Sequence, residues 1–261
     1  MKNFWTRFLS GLLYALLITI SIFYSNISFK ILITILSTIV LKEYFNLVNL
    51  ENYSFLLLTL FFIWAPKNLI INNYIIITTC VVSLISNIYC TILLFFNRGF
   101  KYSKINFYLS SLYITTSFFF MVLIHEHGTV FSPLYLFVFF SSTWVNNTFA
   151  YLVGSKFGKN KILEEISPNK TWEGFFGGFF ASFTFISLME YYFNLFNIYW
   201  IVLVIIIPVV SLIGDLLQSL YKRKAKIKDS GNLIPGHGGA YDRMDSVIYS
   251  ALYYYLFLKL I

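Results

Sequence analysis

Charged side chains are scarce in this chain of 261 residues: Asp, Glu, Lys and Arg make up only 11% of it, whereas 58% of the residues are apolar. Soluble domains carry roughly 25% charged and 45–50% apolar residues. A soluble fold could not cover its surface with so few charges, so the composition excludes a disordered chain and a cytosolic enzyme. It predicts an integral membrane protein.

Cysteine is also rare, since Cys80 and Cys90 are the only two. They lie in one apolar run and form no CxxC pair, which argues against a disulfide scaffold, a redox motif or a thiolate metal site. The net charge is +8, but the aromatic residues lie in apolar runs and not among the basic residues. Nucleic acid is therefore not expected as a partner, and anionic lipid or phosphate is.

Long apolar runs dominate what is present, and a helical span needs about 20 of such residues. The runs predict an all-α, polytopic fold with about nine transmembrane helices: 8–25, 28–47, 54–71, 74–96, 105–124, 130–153, 175–194, 197–220 and 244–261. Pro66 and Lys67 make the third span the weakest of them.

The basic residues test this count independently. If the N-terminus is cytoplasmic, all of the 19 Lys and Arg residues except Lys30, Lys67 and Lys259 fall on the cytoplasmic side. That is the positive-inside bias of a correct topology. We expect a multi-pass protein of the inner or plasma membrane, built as one domain over 1–261. Residues 1–130 supply N-terminal spans, and residues 131–261 carry the two longer cytoplasmic loops, 154–174 and 221–243.

The aspartates are few and clustered: Asp215, Asp229, Asp242 and Asp245. Asp215 lies near the end of an apolar run, where a lone carboxylate is costly without a partner. If the last span begins near Tyr241, Asp242 and Asp245 share one helical face. Carboxylates that converge at a membrane boundary would suit Mg²⁺, which prefers oxygen ligands. The alternative is a solvated loop whose acids merely offset nearby lysines and arginines.

Glycines are concentrated between these acids. Gly231 precedes the segment Pro235-Gly236-His237-Gly238-Gly239. Glycines at this density let backbone N–H groups approach an anion closely, so the segment predicts a phosphate-binding loop. His237 could donate a hydrogen bond to a phosphate oxygen, or simply cap a turn.

The other long loop contains Ser167-Pro168-Asn169-Lys170-Thr171-Trp172-Glu173-Gly174. Ser followed by Pro is typical of a helix start, so this pattern predicts a helix that begins at Pro168. With Lys170 nearby, such an N-terminus would suit a phosphate group. A capped span start without any ligand is the alternative. Gly174 and Gly178 form a small-xxx-small pair, which favours helix packing.

The segment from Ser219 to Asp245 resembles the signature of the phosphatidate cytidylyltransferases, or CDP-diacylglycerol synthases. The matching residues are Ser219-Leu220-Tyr221-Lys222-Arg223, Lys228-Asp229-Ser230-Gly231, Ile234-Pro235-Gly236-His237-Gly238-Gly239 and Asp242-Arg243-Met244-Asp245. Gly214-Asp215 and the Ser167 to Gly174 segment are similar to family motifs as well. The chain departs from the pattern at Asn147 and Phe149, where family members usually carry Asp and Gly.

The resemblance implies a reaction of CTP with phosphatidate in the bilayer that gives CDP-diacylglycerol and diphosphate, at a site facing the cytoplasm. It implies Mg²⁺ as the cofactor and leaves open both a second cation and a homodimer. The metal ligands would be Asp215, Asp242 and Asp245. The catalytic set implied for the reaction comprises these three with Lys222, Arg223, Lys228, Asp229, His237 and Arg243. The substrate-binding set comprises Ser167, Lys170, Thr171, Glu173, Ser219, Gly236, Gly238 and Gly239.

Two other functions are compatible with parts of the sequence. A CTP-dependent transferase that acts on another membrane lipid or alcohol would share the nucleotide half of the site. An anion transporter would explain the spans and Asp215, but not why acids, glycines and basic residues concentrate in the two cytoplasmic loops.

Overall fold

The computed structural model describes residues 2–65, 73–96, 103–126, 132–233 and 238–260. Over these ranges the fold is all-helical, as predicted, with one isolated β-bridge between Lys161 and Thr171. The helices are α1 (Lys2–Tyr24), α2 (Asn26–Val48), α3 (Ser54–Trp64), α4 (Asn73–Phe96), α5 (Lys104–His125), α6 (Pro133–Phe157), α7 (Trp172–Phe193), α8 (Trp200–Lys224) and α9 (Tyr241–Leu258), with a 3-10 turn at Asn197–Tyr199 before α8.

Each predicted span coincides with one of these helices, and most of their ends differ by only a few residues. Within the described ranges, four stretches are long and apolar enough to cross a membrane: Asn26–Val48, Asn73–Phe95, Lys104–His125 and Asn197–Lys224. The prediction of a helical membrane protein is therefore confirmed. The count of nine spans and the cytoplasmic N-terminus stay predictions. Pro66 and Lys67, in the third predicted span, lie outside the described residues.

Helix α9 lies in the centre of the bundle. It packs chiefly against α8 and α5, and its buried residues include Met244, Asp245, Ile248 and Leu252. Because neighbouring helices surround it, α9 can carry polar and ionisable side chains that a lipid-facing helix would not tolerate. Its first turn, with Asp242, is thereby held at the end of the bundle where the long loops lie.

Helices α6 and α7 pack against each other through small residues. A Cβ atom on Gly174 would lie 2.7 Å from the carbonyl oxygen of Ala150, and one on Gly178 would lie 2.7 Å from that of Asn146. Only glycine permits this close backbone approach. The prediction that this glycine pair serves helix packing is confirmed.

The predicted helix start at Pro168 is wrong. Helix α7 begins at Trp172, and Thr171 is its N-cap, with the side-chain oxygen accepting from the backbone N–H of Gly174 at 3.2 Å. Ser167 to Lys170 form a turn instead, closed by a hydrogen bond from Lys170 N to Ser167 O at 3.2 Å. Ser followed by Pro also suits the first two positions of a β-turn, so the local pattern did not distinguish the two structures.

Candidate active site

The two long loops meet at one end of the bundle. Arg223, near the end of α8, donates from Nε to the carbonyl oxygen of Ile166 at 3.3 Å. Lys170 forms an ion pair with Asp215, about two turns earlier on α8. The residues that the sequence singled out in separate segments are therefore brought together by contacts of the first loop with α8.

The first loop is fixed by backbone hydrogen bonds and by one carboxylate. Ile162 N donates to Lys170 O at 3.0 Å, and Trp172 N donates to Asn160 O at 2.9 Å. The Glu173 carboxylate accepts from the backbone N–H groups of Lys159 and Asn160 at 3.1 and 3.2 Å. Hydrogen bonds from backbone N–H groups, first its own and then these two, lower the pKa of Glu173. Glu173 thus stabilises the loop that carries Lys170.

A cavity of about 200 Å³ opens beside this ion pair, between α6, α7, α8 and the first loop. Its polar lining residues include Ser167, Asn169, Lys170, Thr171 and Asp215. Its apolar lining residues include Ile162, Phe175, Pro208 and Leu212. A cavity lined by both charged and apolar side chains can receive a charged head group whose remainder is hydrocarbon.

Asp242 is the most extensively hydrogen-bonded acid of the site. Its Oδ1 accepts from Lys222 Nζ at 2.7 Å and from Gln218 Nε2 at 2.9 Å. Its Oδ2 accepts from the backbone N–H groups of Ser230 at 2.8 Å and Gly239 at 3.0 Å, and Ser230 Oγ lies 3.1 Å from it. Burial raises the pKa of the Asp242 carboxyl, but the charge of Lys222 and these hydrogen bonds outweigh it, so the pKa lies below its ordinary value. Asp242 therefore joins α9 to α8 and to the second loop.

Asp215 and Asp245 meet where α8 crosses α9. A Cβ atom on Gly214 would lie 2.7 Å from the backbone oxygen of Asp245, so only glycine allows the two helices to approach this closely here. The charged side chains that act on the buried Asp245 carboxyl are Asp215, Lys170 and Lys222. Asp242 contacts Gln218 and Lys222 on the same helix, so Asp242 and Asp245 both face α8, as their spacing predicted.

Asp215 and Asp245 have surroundings that suit a bound cation better than those of Asp242. Asp215 and Asp245 offer carboxylates from two helices at one crossing, next to the cavity, and this chemistry fits a hard divalent ion such as Mg²⁺. Asp242 already accepts hydrogen bonds from four other donors, which leaves its oxygens committed to protein groups. Within the described ranges, no three His, Cys, Asp or Glu side chains are grouped as metal ligands. The assignment of all three aspartates to metal binding stays a prediction.

The glycine loop is described only in part, because Gly236 and His237 lie outside the described residues. Gly238 has a φ of +86°, and a Cβ atom there would lie 2.5 Å from Asp242 Oδ2. Both the backbone conformation and the space require glycine at this position. The backbone of Gly238 and Gly239 therefore lies directly against the Asp242 carboxylate.

The other predicted site residues differ in how far their side chains are buried. Arg223, Lys228 and Asp229 are exposed, while Ser219 is buried within α8 and Arg243 is half-buried on α9. Exposed basic groups beside a glycine loop can attract a polyanion from solution. Whether any of these side chains touches a substrate stays a prediction.

Three polar residues of the site were not predicted from the sequence: Glu43, Gln218 and Ser230. Glu43 lies in α2, and its carboxylate accepts from the backbone N–H groups of Ala240 and Tyr241 at 3.0 and 2.9 Å. A carboxylate inside a predicted span was the signal that could have found it, since such groups are costly unless they serve a purpose. Gln218 carries no comparable signal, whereas Ser230 stands within the segment that resembles the family signature.

Asn147 has a defined structural role despite its departure from the family pattern. Its Nδ2 donates to Ser246 Oγ at 2.9 Å, and its Oδ1 accepts from Asn146 Nδ2 at 3.1 Å. Ser246 directly follows Asp245, so the Asn147 amide joins α6 to α9 beside the acidic pair. Both residues Asn146 and Asn147 also line the cavity.

The fold and the site thus define a helical membrane protein whose charged cavity and glycine loop suit phosphate groups. The model of a family described as the cytidylyltransferase family matches residues 5–261, and the chain belongs to that family. It is similar to the phosphatidate cytidylyltransferase of Staphylococcus aureus (strain COL), with 44% identity over 118 residues. It is also similar to the phosphatidate cytidylyltransferases of Staphylococcus epidermidis (strain ATCC 12228 / FDA PCI 1200), at 40% over 117 residues, and Staphylococcus haemolyticus (strain JCSC1435), at 43% over 118 residues. Each of these alignments spans 44% of this chain and 45% of the relative.

Proposed function

We propose that this protein transfers the cytidylyl group of CTP to phosphatidate, giving CDP-diacylglycerol and diphosphate for phospholipid synthesis. The observation that carries the proposal is the ion pair of Lys170 with Asp215 in a cavity that is otherwise lined largely by apolar side chains. Family membership over residues 5–261 and the names of the staphylococcal relatives support the same reaction.

The cavity would receive the lipid substrate. Its phosphate would lie against Lys170, Ser167 and Thr171, and its hydrocarbon would extend past Phe175 and Leu212. This arrangement keeps the acyl chains among the helices while the phosphate faces the loops. With a cation held by Asp215, Lys170 would be able to pair with the anionic head group, a contact that a neutral alcohol would not make.

CTP would bind on the other side of Asp245, at the glycine loop. Lys222, Arg223 and Lys228 would neutralise the phosphates of CTP, while backbone N–H groups of the glycine segment would hold the departing diphosphate. The lipid phosphate oxygen would form a bond to the α-phosphorus of CTP, and the bond to the bridging oxygen of the β-phosphate would break. The attacking phosphate is already ionised, so the site needs orientation and charge neutralisation more than a strong base.

Asp215 and Asp245 would hold Mg²⁺, which when bound would neutralise phosphate charge between the two substrates. Lys170, now paired with Asp215, would then be able to contact the lipid phosphate. The membrane arrangement that goes with this proposal has nine spans, a cytoplasmic N-terminus and both long loops in the cytoplasm, where CTP is available.

The proposal is tested with purified protein in mixed micelles of detergent and phosphatidate, with labelled CTP and Mg²⁺. We expect one CDP-diacylglycerol for each diphosphate released, at a rate that rises with the mole fraction of phosphatidate. Micelles that contain a prenyl alcohol or an ether lipid should support no comparable rate. Diphosphate formed equally without phosphatidate would indicate a nucleotide hydrolase, and no diphosphate under any condition would favour a transporter.

A further inference from the structure

Helix α9 is capped by a residue from another helix. Its own N-cap residue, Ala240, has no side chain able to accept a hydrogen bond. Glu43 of α2 takes this place: its Oε1 accepts from Ala240 N at 3.0 Å, and its Oε2 accepts from Tyr241 N at 2.9 Å. A carboxylate at a helix N-terminus satisfies free N–H groups and interacts favourably with the helix dipole.

The same carboxylate also fixes the second loop. Glu43 Oε2 accepts from Ser230 Oγ at 2.7 Å, and this hydroxyl lies 3.1 Å from Asp242 Oδ2. Ser230 therefore lies between two carboxylates, one from α2 and one from α9. Glu43 therefore holds the loop on both sides of residues 231–239, at Ser230 and at Ala240, although it lies almost 200 positions earlier in the chain than Ala240.

Two glycines of the loop are explained by Glu43. A Cβ atom on Gly231 would lie 2.7 Å from Glu43 Oε1, and one on Gly239 would lie 2.2 Å from Glu43 Oε2. The carboxylate cannot move aside without losing hydrogen bonds to three groups. The glycines at these positions thus make room for Glu43.

We infer that Glu43 is a positioning residue for the glycine loop. It does not touch the substrate; it sets the distance between the glycine segment, Asp242 and the first turn of α9. This inference rests on the proposed function, because the loop it positions is the one assigned above to the phosphates of CTP. It predicts that changes at Glu43 alter the use of CTP and not that of phosphatidate.

The first test is Glu43→Gln, compared with Glu164→Gln, an exposed carboxylate of the other loop. The amide group of Gln would place an N–H donor against Ala240 N or Tyr241 N, so one hydrogen bond becomes a repulsive contact. We expect the KM for CTP to rise about tenfold, with the KM for phosphatidate changed less than about twofold. The stabilisation that CTP gives against thermal unfolding should weaken in parallel, and Glu164→Gln should behave as the parent.

The second test is a double-mutant comparison. Gly231→Ala should raise the KM for CTP in the parent, because its Cβ atom meets chiefly the Glu43 carboxylate. In a Glu43→Asp background the shorter side chain leaves space, so Gly231→Ala should cause a smaller further rise. For Gly239→Ala, the rise in the KM for CTP should not become smaller in the Glu43→Asp background, since its Cβ atom would also lie 2.4 Å from Ser230 Oγ.

The outcomes separate this inference from the proposed function. A parent enzyme that makes no CDP-diacylglycerol overturns the proposed function, and CTP-dependent thermal stabilisation then still reports on the loop. An active parent whose Glu43→Gln variant keeps the parental KM for CTP overturns the inference. Loss of folded protein with unchanged KM values, together with additive effects of Gly231→Ala and Glu43→Asp, would make Glu43 merely structural and also overturn it.

Discussion

Lys222 Nζ lies 2.7 Å from Asp242 Oδ1, and this ion pair joins the end of α8 to the first turn of α9. The Asp242 side chain is only 5% exposed, so its charge depends on the protein for compensation. The two residues are separated by the whole second loop, and their contact closes that loop over the end of the bundle.

Removing the lysine should therefore destabilise the protein. Lys222→Met leaves the Asp242 carboxylate buried without its cation, and breaking such a pair costs about 3 kcal/mol or more. The free energy of unfolding in detergent, from denaturant titration, measures the effect. Lys226→Met, at an exposed position just beyond α8, is the control and should change stability little. A Lys222→Met protein as stable as the parent would show that the pair contributes nothing.

Acid should weaken the protein through Asp242. Because the pKa of this carboxyl is lowered in the folded state, its contribution to stability is present above the ordinary Asp value and is lost as pH falls through the folded-state pKa. We expect the melting temperature of the parent to fall more steeply below about pH 4 than that of Asp242→Asn. Parallel curves for the two proteins would contradict this account.

Asp245→Asn should lower turnover by several orders of magnitude while the protein stays folded, because the change removes a cation ligand without changing the shape of the side chain. Chelation of divalent ions should abolish the activity of the parent. Glu164→Gln, with an exposed acid, serves as the control. Near-parental activity of Asp245→Asn at saturating Mg²⁺ would exclude Asp245 as a ligand.

Gly238→Ala should remove most activity with little effect on the helices. Its φ of +86° disfavours alanine, and the added methyl group would meet Asp242 Oδ2. Asn232→Ala, an exposed position of the same loop, should keep parental turnover. The test is to measure kcat and the helical circular dichroism signal for both variants side by side.

Membrane orientation can be tested with single cysteines in a chain lacking Cys80 and Cys90. A cysteine at position 226 should be protected from a membrane-impermeant reagent added to intact cells, and one at position 260 should react. Both positions are exposed in the structure, so access to the side chain is not limiting. Equal labelling at the two positions would contradict the nine-span arrangement.

The sequence alone determined the helices and much of the site. Exposing long apolar runs to water costs too much free energy, so these runs form helices that are buried or that span a membrane. The predicted spans therefore overlap α1 to α9. The clustered aspartates, the glycine segment and the resemblance of residues 219–245 to a known signature identified the family before any contact was known.

Only the tertiary structure decided which of these residues meet. The ion pair of Lys170 with Asp215 depends on how the first loop packs against α8. The ion pair of Lys222 with Asp242 depends on how α8 and α9 cross, and Gly214 sets that crossing through a close approach that spacing in the sequence does not encode. The start of α7 was misplaced because Ser-Pro suits a turn as well as a helix, and the hydrogen bonds of the whole first loop select between them. Glu43 was missed because its partners, at Ser230 and Ala240, are backbone and hydroxyl groups of a distant segment, brought to it only when α2 packs against α9.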